Sequence, residues 1–195
     1  MAELKLPVSE ETIRGLEVGD FVELSGRMIT GRDAAHTWLM QDFREEVAPF
    51  MKDSVIYHCG PVVAENDDGT YDFIAAGPTT SIREEPYQAD VIGRYGLRGV
   101  IGKGGMGAKT LAGLSEYGAV YLHAVGGAAQ VLARAIPRVE RVFMLEEFGV
   151  PEALWVIDVE RFPVMVTMDS HGGSLHDEVL ERSQAKLREL LGFAV

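Results

Sequence analysis

The chain has 195 residues, 47% of them hydrophobic and 25% charged, and a net charge of −12. That is enough apolar material for one sizeable core, and the acidic balance argues against nucleic acid or an anionic membrane as partner. No run approaches the roughly 18 consecutive apolar residues that span a bilayer, and the start lacks the basic and apolar pattern of a signal peptide, so a cytoplasmic protein is expected.

Taken in order, residues 1–17 are polar, with Pro7 and an acidic patch after Ser9, and read as an extended lead-in to a single domain covering 1–195. Residues 21–30 alternate as a strand that ends at Gly31-Arg32-Asp33. Ala34, Ala35, Trp38 and Leu39 then begin a helical pattern reaching about residue 49. Asp33 suits its N-cap, or else orients Arg32. An arginine ahead of a helix N-terminus is disfavoured by the dipole unless an anion lies between them; the alternative is a surface arginine at a turn. Residues 54–57 form a short strand into His58-Cys59-Gly60-Pro61, and the turn at 66–69 separates two further strand-like runs, at 62–63 and 71–76.

Pro86 can start a helix through Tyr95, with Glu84 and Glu85 on its N-terminal side. A strand at 98–101, a turn at 102–107 and a helix at 108–117 follow, then a buried-looking strand at 119–125 and a helix at 128–136. The pattern predicts further strands at 139–145, 154–159 and 164–168, the last two separated by a corner at Arg161-Phe162-Pro163. Ser174, with Asp177 and Glu178, marks the start of a C-terminal amphipathic helix over 174–192. Alternation in the middle with strand-rich ends argues an α/β fold with mixed sheets and helices packed on one side.

The chemistry gathers between Gly77 and Gly107, where two glycine-bearing turns each follow a strand-like run. One carries Thr79, Thr80 and Arg83, the other Lys103. A phosphate-binding P-loop would need Ser or Thr after Lys103, and Gly104 stands there instead. Gly102-x-Gly104-x-x-Gly107 matches a dinucleotide fingerprint formally. It places a lysine in the tight turn, however, and lacks the acidic residue about 20 positions on. A carboxylate site is the third reading: Arg83 and Arg32 can each make a bidentate pair, Lys103 supplies a point charge, and Thr79 and Thr80 supply hydroxyls. Such a set fits a small dicarboxylate but holds no strong acid, base or electrophile. The five histidines, His36, His58, His123, His171 and His176, show no metal-ligand spacing. His36 lies one helical turn from Arg32, and His123 reads as a satisfied core histidine. Cys59, alone, can neither form an internal disulfide nor hold an iron–sulfur cluster, and reads as a small buried residue.

Gly31-Arg32-Asp33-Ala34-Ala35-His36, Gly77-Pro78-Thr79-Thr80 with Arg83, and Gly102-Lys103-Gly104-Gly105-Met106 occur here in one order. Together they resemble the C-terminal domain of class I (iron–sulfur) fumarate hydratases, which in two-subunit enzymes is a separate β subunit. L(+)-tartrate dehydratase β subunits are similar. The resemblance spans roughly residues 18–170 and implies a swivelling β/β/α domain that closes over a [4Fe-4S] cluster bound by an α subunit, in an α2β2 assembly. It implies reversible hydration of fumarate to (S)-malate, or dehydration of tartrate to oxaloacetate. Arg32, Arg83 and Lys103 would bind the substrate carboxylates, with Thr80 and His36 assisting and Asp33 orienting. Thr79 would act as base at the carbon that loses its proton, its alkoxide stabilised by Lys103, or would only position substrate. The run 81–85 departs from several fumarases and leaves fumarate against tartrate open. From a different class, a non-catalytic anion-binding regulatory module shares the arginines.

Overall fold

The computed structural model describes residues 2–192, in which strands and helices alternate through the middle of the chain. The first half runs β1 (Ala2–Leu6), α1 (Glu10–Arg14), β2 (Phe21–Thr30), α2 (Asp33–Gln41), α3 (Ala48–Met51), β3 (Val55–Tyr57), β4 (Val62–Glu65) and β5 (Tyr71–Ala75). A 3-10 turn (Ser81–Glu84) leads to α4 (Gln88–Tyr95), β6 (Gly99–Gly102), α5 (Ala108–Tyr117) and β7 (Val120–His123). The chain finishes with α6 (Ala129–Ala133), β8 (Arg138–Phe143), α7 (Leu145–Phe148), β9 (Leu154–Met168) and α8 (Leu175–Leu191). None of these helices is long and apolar enough to cross a membrane.

The main sheet has the order β1-β2-β3-β6-β7-β9-β8, and β9 also pairs with β2, so β2, β3, β6, β7 and β9 close into a ring. β2, β3, β6 and β7 are mutually parallel neighbours, while β9 runs antiparallel to both β2 and β7. Parallel strands covered on both faces read as unbroken apolar runs, which is why β3, β6 and β7 are nearly all hydrophobic. Their side chains alternate between two cores. Ile56, Val100 and Tyr121 face α2 to α5, joining Leu39, Met51, Val91, Ile92 and Leu114. Val55, Tyr57, Ile101, Val120 and Leu122 face the other way, onto Trp155, Ile157 and Phe162 of β9, with Ile13 of α1 and Leu132 of α6. The expected α/β architecture with mixed sheets is thus a layer of helices, a parallel sheet and a second β layer. The β4–β5 hairpin is fastened over that second layer by Tyr71 and Phe73, each edge-on to Trp155 at 5.1 and 5.9 Å.

Three expected elements differ. The lead-in is not merely extended: β1 pairs in register with β2, and Ser9 caps α1 by accepting from the Thr12 N–H at 3.2 Å. The helix expected to reach residue 49 stops at Gln41, and a separate short α3 follows. The two late strands are one. Their corner is absorbed as a bulge in which Glu160 and Arg161 oppose Ser25 alone, with Arg161 in the left-handed region at φ 50° and its N–H given to Ser25 Oγ at 3.1 Å.

Candidate functional site

The parallel strands β2, β3, β6 and β7 deliver their carboxyl ends to one edge of the molecule, where ligands of open α/β sheets bind. Gly31-Arg32-Asp33 leaves β2 there, His58 leaves β3, Lys103 leaves β6 and Gly126 follows β7. The segment 79–81 joins this edge as a strand-like addition. Thr79 N–H donates to His58 O at 2.6 Å, Lys103 N–H to Thr79 O at 3.2 Å and Ser81 N–H to Lys103 O at 3.0 Å. The two glycine turns are therefore hydrogen-bonded to each other, and Thr79, Thr80 and Lys103 are brought together.

Gly102 is required by this contact. A Cβ there would collide with Ser81 Oγ and sit 3.0 Å from Tyr121 Oη. Gly104 and Gly105 both take positive φ, 85° and 79°, and a Cβ on Gly105 would fall 2.5 Å from the His176 ring. The bare backbone around Lys103 is filled from within the chain.

Arg32, Asp33 and Arg83 form one charged cluster. Asp33 Oδ2 lies 2.6 Å from an Arg83 Nη and 3.8 Å from an Arg32 Nη, so both guanidiniums converge on one carboxylate oxygen. Glu152 lies 3.3 Å from the same Arg32 Nη. Asp33 is not the N-cap; it is the first helical residue, and Arg32 occupies the cap position without a side-chain bond. The capping acceptor comes from elsewhere, Glu152 taking the Ala34 N–H at 3.0 Å. With Arg32 and Arg83 each engaged by a carboxylate, Lys103 stands half-buried and makes no ion pair among the described residues.

His36 is turned away from this edge. It is fully buried, its Nδ1 2.9 Å from the Arg32 carbonyl and its Nε2 2.9 Å from the Gln88 amide oxygen, so the direct substrate contact expected of it is replaced by a hold on the Arg32 backbone. The same amide meets His58 Nε2 at 2.7 Å; His58 Nδ1 meets Ser81 Oγ at 2.9 Å, and Tyr121 Oη donates to Ser81 Oγ at 2.8 Å. This buried chain ties α2, β3, the 3-10 turn, α4 and β7 together beneath the charged cluster. Burial pushes the His36 pKa down and that of His58, with His36 beside it, down to about 3, so both rings are neutral. A neutral His36 spends its one N–H on the Arg32 carbonyl. A half-turn of the Gln88 amide, bringing its –NH2 to both Nε2 atoms, then gives each of those nitrogens a donor.

Sequence reasoning named neither Gln88, His58, Glu84 nor Glu152 as site residues. Glu84 is buried with both carboxyl oxygens unpartnered among the described residues. Glu85, expected to favour the start of α4, instead caps α5: it accepts from Gly107 N–H at 2.7 Å, Lys109 N–H at 3.0 Å and Thr110 N–H at 3.2 Å. The place where a helix N-terminus would cradle a phosphate is filled by the chain's own carboxylate, which removes the physical basis of the dinucleotide reading. His123 is only half-buried and its Nδ1 has no partner among the described residues, so it is not the satisfied core histidine expected. Cys59 is buried and its thiol is pushed up to about 12 by that burial, which does not fit a cluster ligand. Among the described residues no three His, Cys, Asp or Glu side chains gather as a metal site.

A family model described as "Fumarase C-terminus" matches residues 1–179. A Geobacillus stearothermophilus chain, provisionally named a class I fumarate hydratase, is 52% identical over 187 residues, covering 95% of this chain and 35% of that one. A Methanocaldococcus jannaschii chain, provisionally named an L(+)-tartrate dehydratase subunit beta, is 39% identical over 188 residues, covering 95% of this chain and 96% of that one. The L(+)-tartrate dehydratase subunit beta of Escherichia coli K12 is 34% identical over 173 residues, covering 88% and 85%. The chain thus spans about a third of the first relative and nearly all of the second.

Proposed function

This chain belongs to the fumarase C-terminus family, and we propose that it is the β-type half of a two-part hydro-lyase that reversibly hydrates fumarate to (S)-malate. The observation carrying this reading is the convergence of Arg32 and Arg83 on one carboxylate oxygen, together with a Lys103 that makes no ion pair among the described residues and shares a backbone hydrogen bond with Thr79. Asp33 holds the guanidiniums as a substrate carboxylate would, and keeps them aligned until one arrives. Lys103 takes the second carboxylate or the charge developing beside Thr79. The Thr79 hydroxyl is the candidate base at the carbon that loses its proton, its alkoxide stabilised by the Lys103 ammonium. Thr80 lies on the exposed side of the same segment and adds a hydroxyl at the rim.

This chain's thiol does not fit a cluster, so the [4Fe-4S] group implied by the family is assigned to a cysteine-bearing α-type partner in the cytoplasm, in an α2β2 assembly. When bound there it would supply a Lewis acid for the substrate hydroxyl and carboxylate. A tartrate substrate is the second reading, favoured by the two separate-subunit relatives, both named for tartrate dehydratase.

Anaerobic reconstitution with the partner subunit, followed by turnover of fumarate, malate and L(+)-tartrate, tests both. Activity on the first pair alone selects fumarate, activity on tartrate alone selects the second reading, and none on any of the three removes both. Lys103→Met should lower kcat/KM by about 10²–10³-fold, the loss typical of one charge-stabilising donor; unchanged kinetics would take Lys103 out of the site.

A further inference from the structure

Beneath the arginine pair lies a carboxyl group that the mechanism above does not use. Glu84 ends the 3-10 turn, next to Arg83, with none of its side chain exposed and neither oxygen hydrogen-bonded among the described residues. The nearest candidate donor, His36 Nδ1 on α2, is 3.5 Å away and already committed to the Arg32 carbonyl. A carboxylate left there without a donor is costly, so the site favours the neutral acid. The charges facing it nearly balance: Asp33 and Glu152 on one side, Arg83 and Arg32 on the other. Adding a dianion above the two guanidiniums would tip that balance.

We propose that Glu84 takes up a proton when a dicarboxylate binds between Arg32 and Arg83, acting as a positioning residue that lets the buried floor of the site accept the added negative charge. The inference rests on the carboxylate-grip reading. Substrate carboxylates bring two negative charges into reach of a group whose ionised form would repel them, and whose protonated form would not. Because binding and protonation are linked reciprocally, the affinity of a dicarboxylate falls as pH rises past the point where free Glu84 ionises. That point lies near neutrality, since burial first, and Asp33 next, raise the Glu84 pKa to about 7.

The test uses the full chain, alone and with its partner subunit, and succinate as a dicarboxylate with no double bond to hydrate. Calorimetry at pH 7.5 in two buffers of different ionisation enthalpy should report uptake of roughly half a proton per succinate bound. Glu84→Gln, which copies the protonated acid, should hold its pH 6 affinity up to pH 9, where the unsubstituted protein loses roughly tenfold. A merely structural role would instead weaken binding equally at every pH. Binding without proton uptake, or parallel pH profiles for both proteins, would overturn the proposal. If Glu84→Gln does not fold, proton uptake by the unsubstituted protein decides alone. Succinate that fails to bind at all would remove the carboxylate-grip reading, and this inference with it.

Discussion

At the residue scale the buried polar chain sets how the protein responds to acid. His58 is neutral because burial drives its pKa from the usual 6.5 to about 3, and His36 is shifted in the same direction. A depressed histidine contributes stability that is present above 6.5 and lost as pH falls, at about 1.4 kcal/mol per pH unit once the unfolded chain is protonated. Glu84 works the other way, since its raised pKa gives a contribution that is complete below the usual 4.5 and lost as pH rises to about 7. Between 6.5 and 4.5 the carboxyl offsets the His58 imidazole, and below 4.5 it stops helping. The urea midpoint should therefore fall gently to pH 4.5 and steeply beneath it, and Glu84→Gln should make the steep fall begin at 6.5. A protein that loses nothing on acidification to pH 4 would contradict the neutral histidines. The cations and hydroxyls of this site were legible because each sits in a short glycine-bearing motif. Their partners were not: Glu152 meets Ala34 across 118 positions, and His58 meets Gln88 across 30, distances over which local pattern carries no signal.

At the element scale, the two helices that open onto the site are both capped by carboxylates from outside themselves, α2 by Glu152 and α5 by Glu85. Gly107 at the α5 cap position has no side chain to serve the orphan N–H groups, so one glutamate bonds three of them and the Thr110 hydroxyl at 2.6 Å. This also fixes the second glycine turn against the segment that carries Arg83. Glu85→Ala should cost about 1–2 kcal/mol, as loss of a good cap does, and should show as a lower urea midpoint. An unchanged midpoint would mean that water replaces the carboxylate freely. Where capping and periodicity were local, the sequence placed elements closely: β2 and α5 have their expected bounds, and α8 is one residue shorter at each end, at its two caps. Where the decisive contact was remote it did not. β9 runs through its Pro163 corner because β2 pairs along both halves of it, and nothing near Pro163 announces that partner.

At the scale of the whole molecule, the closed ring of strands and its two cores account for the fold without α8. That helix begins with a sound cap, Ser174 accepting from Asp177 N–H at 3.2 Å, yet buries none of its residues. Val179, Leu180, Leu187 and Leu190 remain 51%, 55%, 54% and 72% exposed. The family model's match ends at residue 179, within this helix. A lone helix of this length is marginal in water unless its apolar face packs on something, and here the chain offers it little. Its leucines should then count for little in the stability of the single chain. Leu187→Ser should move the unfolding free energy by no more than about 0.5 kcal/mol, as exposed positions do. Leu122→Ala, in the core between β7 and β9, should cost about 2–5 kcal/mol. Equal losses at the two positions in urea titrations of the full chain would show that α8 is packed in solution, and would put its apolar face inside the fold.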